Sequence, residues 1–142
     1  MNSNVVKRIG ERMNNDYSKE FYVAGVAYHQ IKSIINELKK GDYLQLVCES
    51  TNQYDPSAVR IERNNVDPEG NVTGVMLGYV PKALSFEITN MILDQSLIPV
   101  CQITEFSPSS APYKMLKVEV QFEDLYKQDE TLDHLIERRK DV

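Results

Sequence analysis

The sequence predicts a small α+β domain, mainly β, that folds as an OB-like or SH3-like barrel of five or six strands with two helices and a C-terminal helix. Short β-rich runs alternate with turn-forming segments along residues 21–122, and two stretches within that range change to helical spacing. The length of 142 residues suits a single domain with its own hydrophobic core.

The first half of this range is predicted to contain a strand, a helix and a long hairpin. Apolar residues recur at helical spacing from Ile31 to Leu38, and Gly41 supplies the stop signal. The segment 64–73 is rich in turn-forming residues and predicts a long hairpin tip. The predicted strands of this half are residues 21–26, 43–49, 58–63 and 75–80.

The second half is predicted to contain one helix and two strands. Pro81 opens a helix that continues to Asp94, because proline is well suited to a first helical position. Strands are predicted at residues 99–106 and 114–122, and the second of these alternates strictly between apolar and polar residues. Residues 1–20 are interpreted as an N-terminal arm, residues 21–122 as the domain, and residues 123–142 as a tail with a short helix.

Composition and charge exclude several classes of protein. The chain has 16 basic and 21 acidic residues, a net charge of −5, whereas proteins that neutralise many phosphates are usually basic. A nucleic-acid role would therefore depend on a small shaped pocket. The sequence lacks both a membrane-spanning apolar stretch and the apolar run of a signal peptide, so we expect a cytoplasmic protein. Cys48 and Cys101 are interpreted as small core residues in a reducing compartment.

The sequence contains none of the common catalytic motifs. Glycine-rich phosphate-binding patterns and a GxSxG elbow are missing, and His29 and His134 have no partners at zinc-ligand spacing. We therefore predict no catalytic residue, no metal and no cofactor. One alternative is a Mg²⁺-dependent nuclease in which Glu49, Asp55 and Glu62 converge, although scattered carboxylates are usually solvated surface groups.

Polar aromatic and amide side chains concentrate in the predicted loops. They are Tyr28, His29, Asn52, Gln53, Tyr54, Asp55 and Tyr79. Tyrosine rings can stack on unpaired bases, and amides can bind base edges or sugar hydroxyls. The alternative interpretation is structural: Asp55 would accept backbone N–H groups in a turn, and Tyr54 and Tyr79 would fill the rim of the barrel.

Three segments carry a resemblance to a known family. They are FYVAGVAYHQ at 21–30, GDYLQLVCESTNQYDPSAVRI at 41–61 and LGYVPKALSFEI at 77–88. Together they resemble the HIRAN domain family, and the block at 52–59 is the most specific part. The resemblance covers roughly residues 21–122. It implies an OB-like barrel that, in DNA-repair remodelling enzymes, captures the free 3′ end of single-stranded DNA.

The resemblance also implies roles for individual residues. Tyr28 would stack on or flank a terminal base, and Tyr54 would form another wall of the cleft. Asn52 would contact base or sugar, and Asp55 would accept a hydrogen bond from the terminal 3′-hydroxyl while rejecting a 3′-phosphate. Tyr79 occupies a strand position at which the relatives make a polar contact.

The chain departs from the family pattern at three positions. The remodelling enzymes have an arginine at the position of Ala27, a second aromatic residue where His29 stands and an additional asparagine where Thr51 stands. Loss of the arginine removes a phosphate or base contact, so we expect weaker affinity or a different ligand here. His29 can still stack on a base. Lys82 is the best phosphate partner, ahead of Arg60 and Lys32.

Besides the Mg²⁺-dependent nuclease named above, two functions remain in competition after the residues and the resemblance are combined. The first is a non-catalytic DNA-binding module, specific for single-stranded DNA with a free 3′-hydroxyl and acting in DNA repair or processing. The second is a protein-interaction or oligomerisation module in which the C-terminal helix recruits a partner or a second copy. Deletion of residues 127–142 would distinguish the two, because only the second function needs the tail.

Overall fold

A computed structural model describes residues 17–26 and 28–125, with only the backbone for residues 28–30. Most of the predicted N-terminal arm and the predicted C-terminal helix lie outside these residues. The elements in chain order are β1 (Ser18–Tyr22), α1 (Tyr28–Ile34), β2 (Tyr43–Cys48), β3 (Val59–Val66), β4 (Val72–Tyr79), α2 (Lys82–Leu93), β5 (Leu97–Phe106), a short 3-10 helix (Pro112–Lys114) and β6 (Leu116–Asp124).

The six strands form one antiparallel sheet in the order β1-β6-β5-β2-β3-β4. β1 begins at Ser18, three residues earlier than the predicted strand, because Ser18 to Tyr22 pair with β6. The mainly antiparallel architecture with two helices between strands agrees with the predicted α+β class. The prediction of a barrel is wrong, because the described strands leave β1 and β4 as the two edges of an open sheet.

The two edges approach each other at a single point. Ala24, just after β1, forms an isolated antiparallel bridge with Tyr79, and each N–H donates to the other residue's carbonyl at 2.8 Å. Gly25 then takes a left-handed φ of +54° and turns the chain away, so the bridge does not extend into a ladder. A Cβ at Gly78 would lie 2.5 Å from the Ala24 carbonyl oxygen, so only glycine permits this close approach.

The end of α1 and the tip of the β3–β4 hairpin also differ from the prediction. α1 ends at Ile34 rather than near Gly41, and the following turns have the Glu37 and Leu38 N–H groups donating to the Ile34 carbonyl. Ile34, Ile35 and Asn36 have lower helix propensity than the apolar spacing suggests, because two are β-branched and the third is asparagine. The turns that replace the last part of the helix still bury Leu38. The β3–β4 hairpin continues to Val66 and Val72, so its tip is only residues 67–71, closed by the Asp67 carboxylate accepting the Asn71 N–H.

The core is a single cluster to which both helices and all six strands contribute. The alternation predicted for the last strand is confirmed, because its four apolar residues are buried and the residues between them are half-buried. Those apolar residues are Leu116, Val118, Val120 and Phe122. α1 contributes Ile31 and Ile34, and α2 contributes Ile88.

The two cysteines are free thiols, one buried and one half-buried. Burial raises the pKa of the Cys101 thiol to about 12, so it is a packed apolar group at neutral pH. Neither helix of the described residues combines the length and the apolar character that a membrane span requires.

Gly78→Ala tests the close approach of the two sheet edges. We expect the free energy of unfolding to fall by about 2–5 kcal/mol, because a clash with backbone adds to the cost of a positive φ. Gly70→Ala is the matched control: it also has a positive φ, but no atom lies within 4 Å of its added Cβ, so it should cost only about 1–2 kcal/mol. Equal losses in urea unfolding would contradict this account.

Candidate functional site

A pocket of about 400 Å³ opens where the bridge between the sheet edges meets the loop after β2 and the start of α2. Its volume is in the range of small-ligand sites. Its small or apolar lining residues are Ala24, Gly25, Ala58 and Val80. Five of the seven residues predicted from the sequence also line it: Asn52, Tyr54, Asp55, Tyr79 and Lys82.

The remaining two predicted residues, Tyr28 and His29, are the first two residues of α1. Their side chains lie outside the described part of the structure, as does Ala27. Their roles therefore stay predictions.

The loop that carries three of the pocket residues is held by its own side chains. The Asn52 Oδ1 atom accepts the N–H groups of Tyr54 at 2.8 Å and Asp55 at 3.0 Å. The Asp55 Oδ1 atom accepts the Ser57 N–H at 2.9 Å, so the structural interpretation of this aspartate is correct for one of its oxygens. These bonds fix the loop before any ligand arrives, which lowers the entropy cost of binding.

The second oxygen of Asp55 ties the loop to α2. Ser85 Oγ donates to Asp55 Oδ2 at 2.9 Å, and Ser85 is only 2% exposed. Ser85 was not singled out in the sequence. The sequence pattern that could have indicated Ser85 is a polar residue at a position on the apolar inner face of the helix, because a buried hydroxyl needs a hydrogen-bond partner. That partner, Asp55, lies 30 residues away in the chain.

Glu49 organises the interior side of the pocket. Its carboxylate accepts hydrogen bonds from Arg60 Nη1 at 2.8 Å, Tyr79 Oη at 2.9 Å and Asn52 Nδ2 at 3.1 Å. The sequence analysis considered Glu49 only as a metal ligand, whereas the structure makes it the common acceptor of two pocket residues. Tyr79 therefore does more than fill a rim, since its hydroxyl connects β4 to the loop.

The pKa values of this group follow from burial and the shared hydrogen bonds. Burial raises the pKa of Glu49, but the bonds from Asn52, Tyr79 and Arg60 outweigh it, and the net pKa is lowered. Burial and the bond to Glu49 raise the pKa of Tyr79. Glu49 is therefore ionised and Tyr79 is a neutral donor at physiological pH.

The two cations near the pocket differ in availability. Arg60 pairs with Glu49 and, through Nη2 at 3.1 Å, with the buried Glu62, so its charge is neutralised within the domain. Lys82 is exposed at the first position of α2 and lines the pocket. This arrangement favours Lys82 over Arg60 as a partner for an external anion.

The carboxylates considered as Mg²⁺ ligands are engaged separately. Glu49 and Glu62 pair with Arg60, whereas Asp55 binds Ser57 and Ser85. Among the residues that the structure describes, there is no group of three or more histidine, cysteine or acidic side chains placed to hold a metal ion.

Comparison with known proteins identifies the family. The model of the HIRAN domain matches residues 17–123, which is most of the chain. The chain belongs to the HIRAN domain family. The match begins close to β1 and ends within β6, so the HIRAN unit coincides with the six-stranded sheet.

Solved structures agree with this fold at low sequence identity. The HIRAN domain of human HLTF is 14% identical with a TM-score of 0.52, and the match covers 77% of this chain and 77% of that one. A protein from Lactobacillus plantarum is 19% identical with a TM-score of 0.54, covering 75% of this chain and 97% of that one. No curated protein matches the chain significantly.

Glu49→Gln tests the role of the shared acceptor. Loss of the charged bonds should lower the free energy of unfolding at pH 7 by about 1–3 kcal/mol, because hydrogen bonds to charged groups are the stronger ones. The pKa of Glu49 is lower in the folded state, so its contribution is complete above its ordinary pKa of 4.5 and disappears as pH falls through the lowered value. The variant should therefore lose less stability on acidification.

Glu69→Gln, at the exposed hairpin tip, is the matched control for this pH series. It removes one carboxylate but leaves the pocket and the hydrogen bonds of Glu49 intact, so the two variants are compared at the same loss of charge. Urea unfolding at several pH values between about 3 and 7 measures both variants. Parallel curves for Glu49→Gln and the wild type would show that Glu49 does not contribute as described.

Proposed function

We propose that this HIRAN domain binds the 3′ end of single-stranded DNA in the pocket between the β2–β3 loop and α2, and acts in DNA repair or processing. Membership of the HIRAN family supports a nucleic-acid-binding role. The residues of the pocket support the finer assignment. The observation that carries it is that Tyr54, a large aromatic residue, lines the pocket and is almost entirely exposed to solvent.

Tyr54 is 91% exposed although it is a large aromatic residue. Its backbone N–H is fixed by Asn52, so the exposed ring projects from a held loop. Stacking on such a ring contributes about 1–3 kcal/mol per base and tolerates any base. An unpaired terminal base suits this surface, whereas a base inside a duplex is already stacked on its neighbours.

Lys82 supplies the positive charge for the phosphate next to that base. It is the first residue of α2, and the preceding Pro81 provides no side-chain cap. The first-turn amides of a helix and its dipole favour an anion at this end. One local cation and a helix end suit the capture of one phosphate group, which is consistent with a chain of net charge −5.

Asp55 provides selectivity for a hydroxyl terminus. Each carboxylate oxygen accepts one bond within the protein, from Ser57 or Ser85, and each keeps a second lone pair. A free 3′-hydroxyl can donate to a remaining lone pair, whereas a 3′-phosphate would place like charges side by side. The negative charge of Asp55 therefore favours strands that end in a free 3′-hydroxyl.

Tyr54→Ala tests the stacking role. We expect affinity for a short oligonucleotide with a free 3′-hydroxyl to fall about 5- to 150-fold, which corresponds to the loss of one stacked base. Tyr54→Phe should retain the affinity, and Tyr43→Ala is the matched control, because Tyr43 is 66% exposed on β2 and does not line the pocket. Fluorescence anisotropy at low salt measures the affinities. The proposal fails if wild-type protein does not bind, or binds blunt duplex equally well.

Asp55→Asn tests the selectivity for the 3′-hydroxyl. Wild-type protein should prefer a 3′-hydroxyl over a 3′-phosphate by at least about tenfold, since like charges in contact cost several kcal/mol. The variant keeps the size of the side chain but loses the charge, so the preference should approach unity. Asp94→Asn is the matched control, because Asp94 also accepts an N–H two residues ahead yet lies outside the pocket. An unchanged preference in Asp55→Asn would refute this role.

A further inference from the structure

We infer that the bound strand leaves the pocket along the exposed face of α2 and that Phe86 stacks on a second base there. This inference rests on the proposed function, since it assigns the path of a strand whose end lies in the pocket. Phe86 is 70% exposed on α2, and it was not among the residues predicted from the sequence.

Helix geometry places Phe86 beside the pocket. Phe86 follows Lys82 by four residues, so the two side chains lie on the same face of α2, one turn apart. Lys82 lines the pocket and Phe86 is therefore the next exposed large side chain along that face. A strand whose phosphate contacts Lys82 has its neighbouring nucleotide within reach of the Phe86 ring.

The bond between Asp55 and Ser85 keeps Phe86 close to Tyr54. Tyr54 precedes Asp55 and Phe86 follows Ser85, and the two central side chains are 2.9 Å apart. Chain geometry then limits the Cα atoms of Tyr54 and Phe86 to a separation of no more than about 17 Å. A few nucleotides cover this distance, so one short strand can engage both rings.

The chemistry of α2 also suits a nucleic-acid backbone. Ala83 and Asn90 lie about one helical turn before and after Phe86, and both are exposed. Alanine is small and asparagine is uncharged, so neither repels a phosphate backbone that passes the Phe86 ring. The acidic residue next to Phe86 in the chain, Glu87, accepts a hydrogen bond from Tyr17 at 2.6 Å, on the side of the helix that faces the start of β1. Phe86 itself has no polar atom, so it offers stacking without base preference.

A length series of oligothymidylates tests this path. Thymidine 5′-monophosphate and strands of two to about six nucleotides with free 3′-hydroxyls are titrated into the wild-type chain and Phe86→Ala. We expect equal affinity for the mononucleotide and a loss of about 5- to 150-fold for the longer strands in Phe86→Ala, the range for one stacked base. Phe86→Tyr keeps an aromatic ring and should therefore retain the wild-type affinity for the longer strands, and Tyr43→Ala should behave as the wild type.

The outcomes separate this inference from the proposed function. Wild-type binding of the mononucleotide with no effect of Phe86→Ala at any length would overturn the path along α2 and leave the pocket assignment intact. Absence of binding by the wild type would overturn both. A changed molecular mass in Phe86→Ala with unchanged DNA affinity would likewise refute the inference and identify Phe86 as a protein contact. Because Phe86 is exposed, unchanged thermal unfolding is the expected control for folding.

Discussion

The half-buried carboxylate of Glu49 is the constraint on which the candidate site depends. A charge removed from water must be compensated, and here three donors from the loop, β3 and β4 converge on one acceptor. The same bonds fix Asn52, whose other end holds the N–H groups of Tyr54 and Asp55. Compensation of one charge thus orders the whole loop, and the loop presents its aromatic ring and its carboxylate without waiting for a ligand.

The ion pairs of this region also determine which basic side chain of an acidic protein is available to a ligand. Arg60 lies close to the pocket but forms salt bridges with Glu49 and Glu62, so its charge stabilises the domain rather than a ligand. Lys82 is exposed at the start of α2 and lines the same pocket. Lys82 therefore gives the pocket one cation within a chain of net negative charge, and shape and stacking carry more of the proposed recognition than bulk attraction does.

Particular residues show how far sequence reasoning reached. The alternation of β6 and the turn chemistry around Asp55 are local patterns, and both are present in the structure. The early end of α1 and the short hairpin tip were missed, because the turn bonds to Ile34 and Asp67 compete with simple periodicity. Ser85 and the organising role of Glu49 were missed for another reason: the bonds from Ser85 to Asp55 and from Tyr79 to Glu49 each join residues that are 30 positions apart in the chain.

The α+β class could be predicted from the sequence because turn chemistry and apolar alternation are properties of neighbouring residues. The family, and with it five residues that line one pocket, could be predicted because three short motifs are legible in the sequence. Three features became visible only in the folded protein: the sheet stays open, Arg60 is paired within the domain, and α2 adjoins the loop through Asp55 and Ser85. Those features depend on contacts between strand edges and between charged groups that are far apart in the sequence, and patterns of neighbouring residues do not specify such contacts.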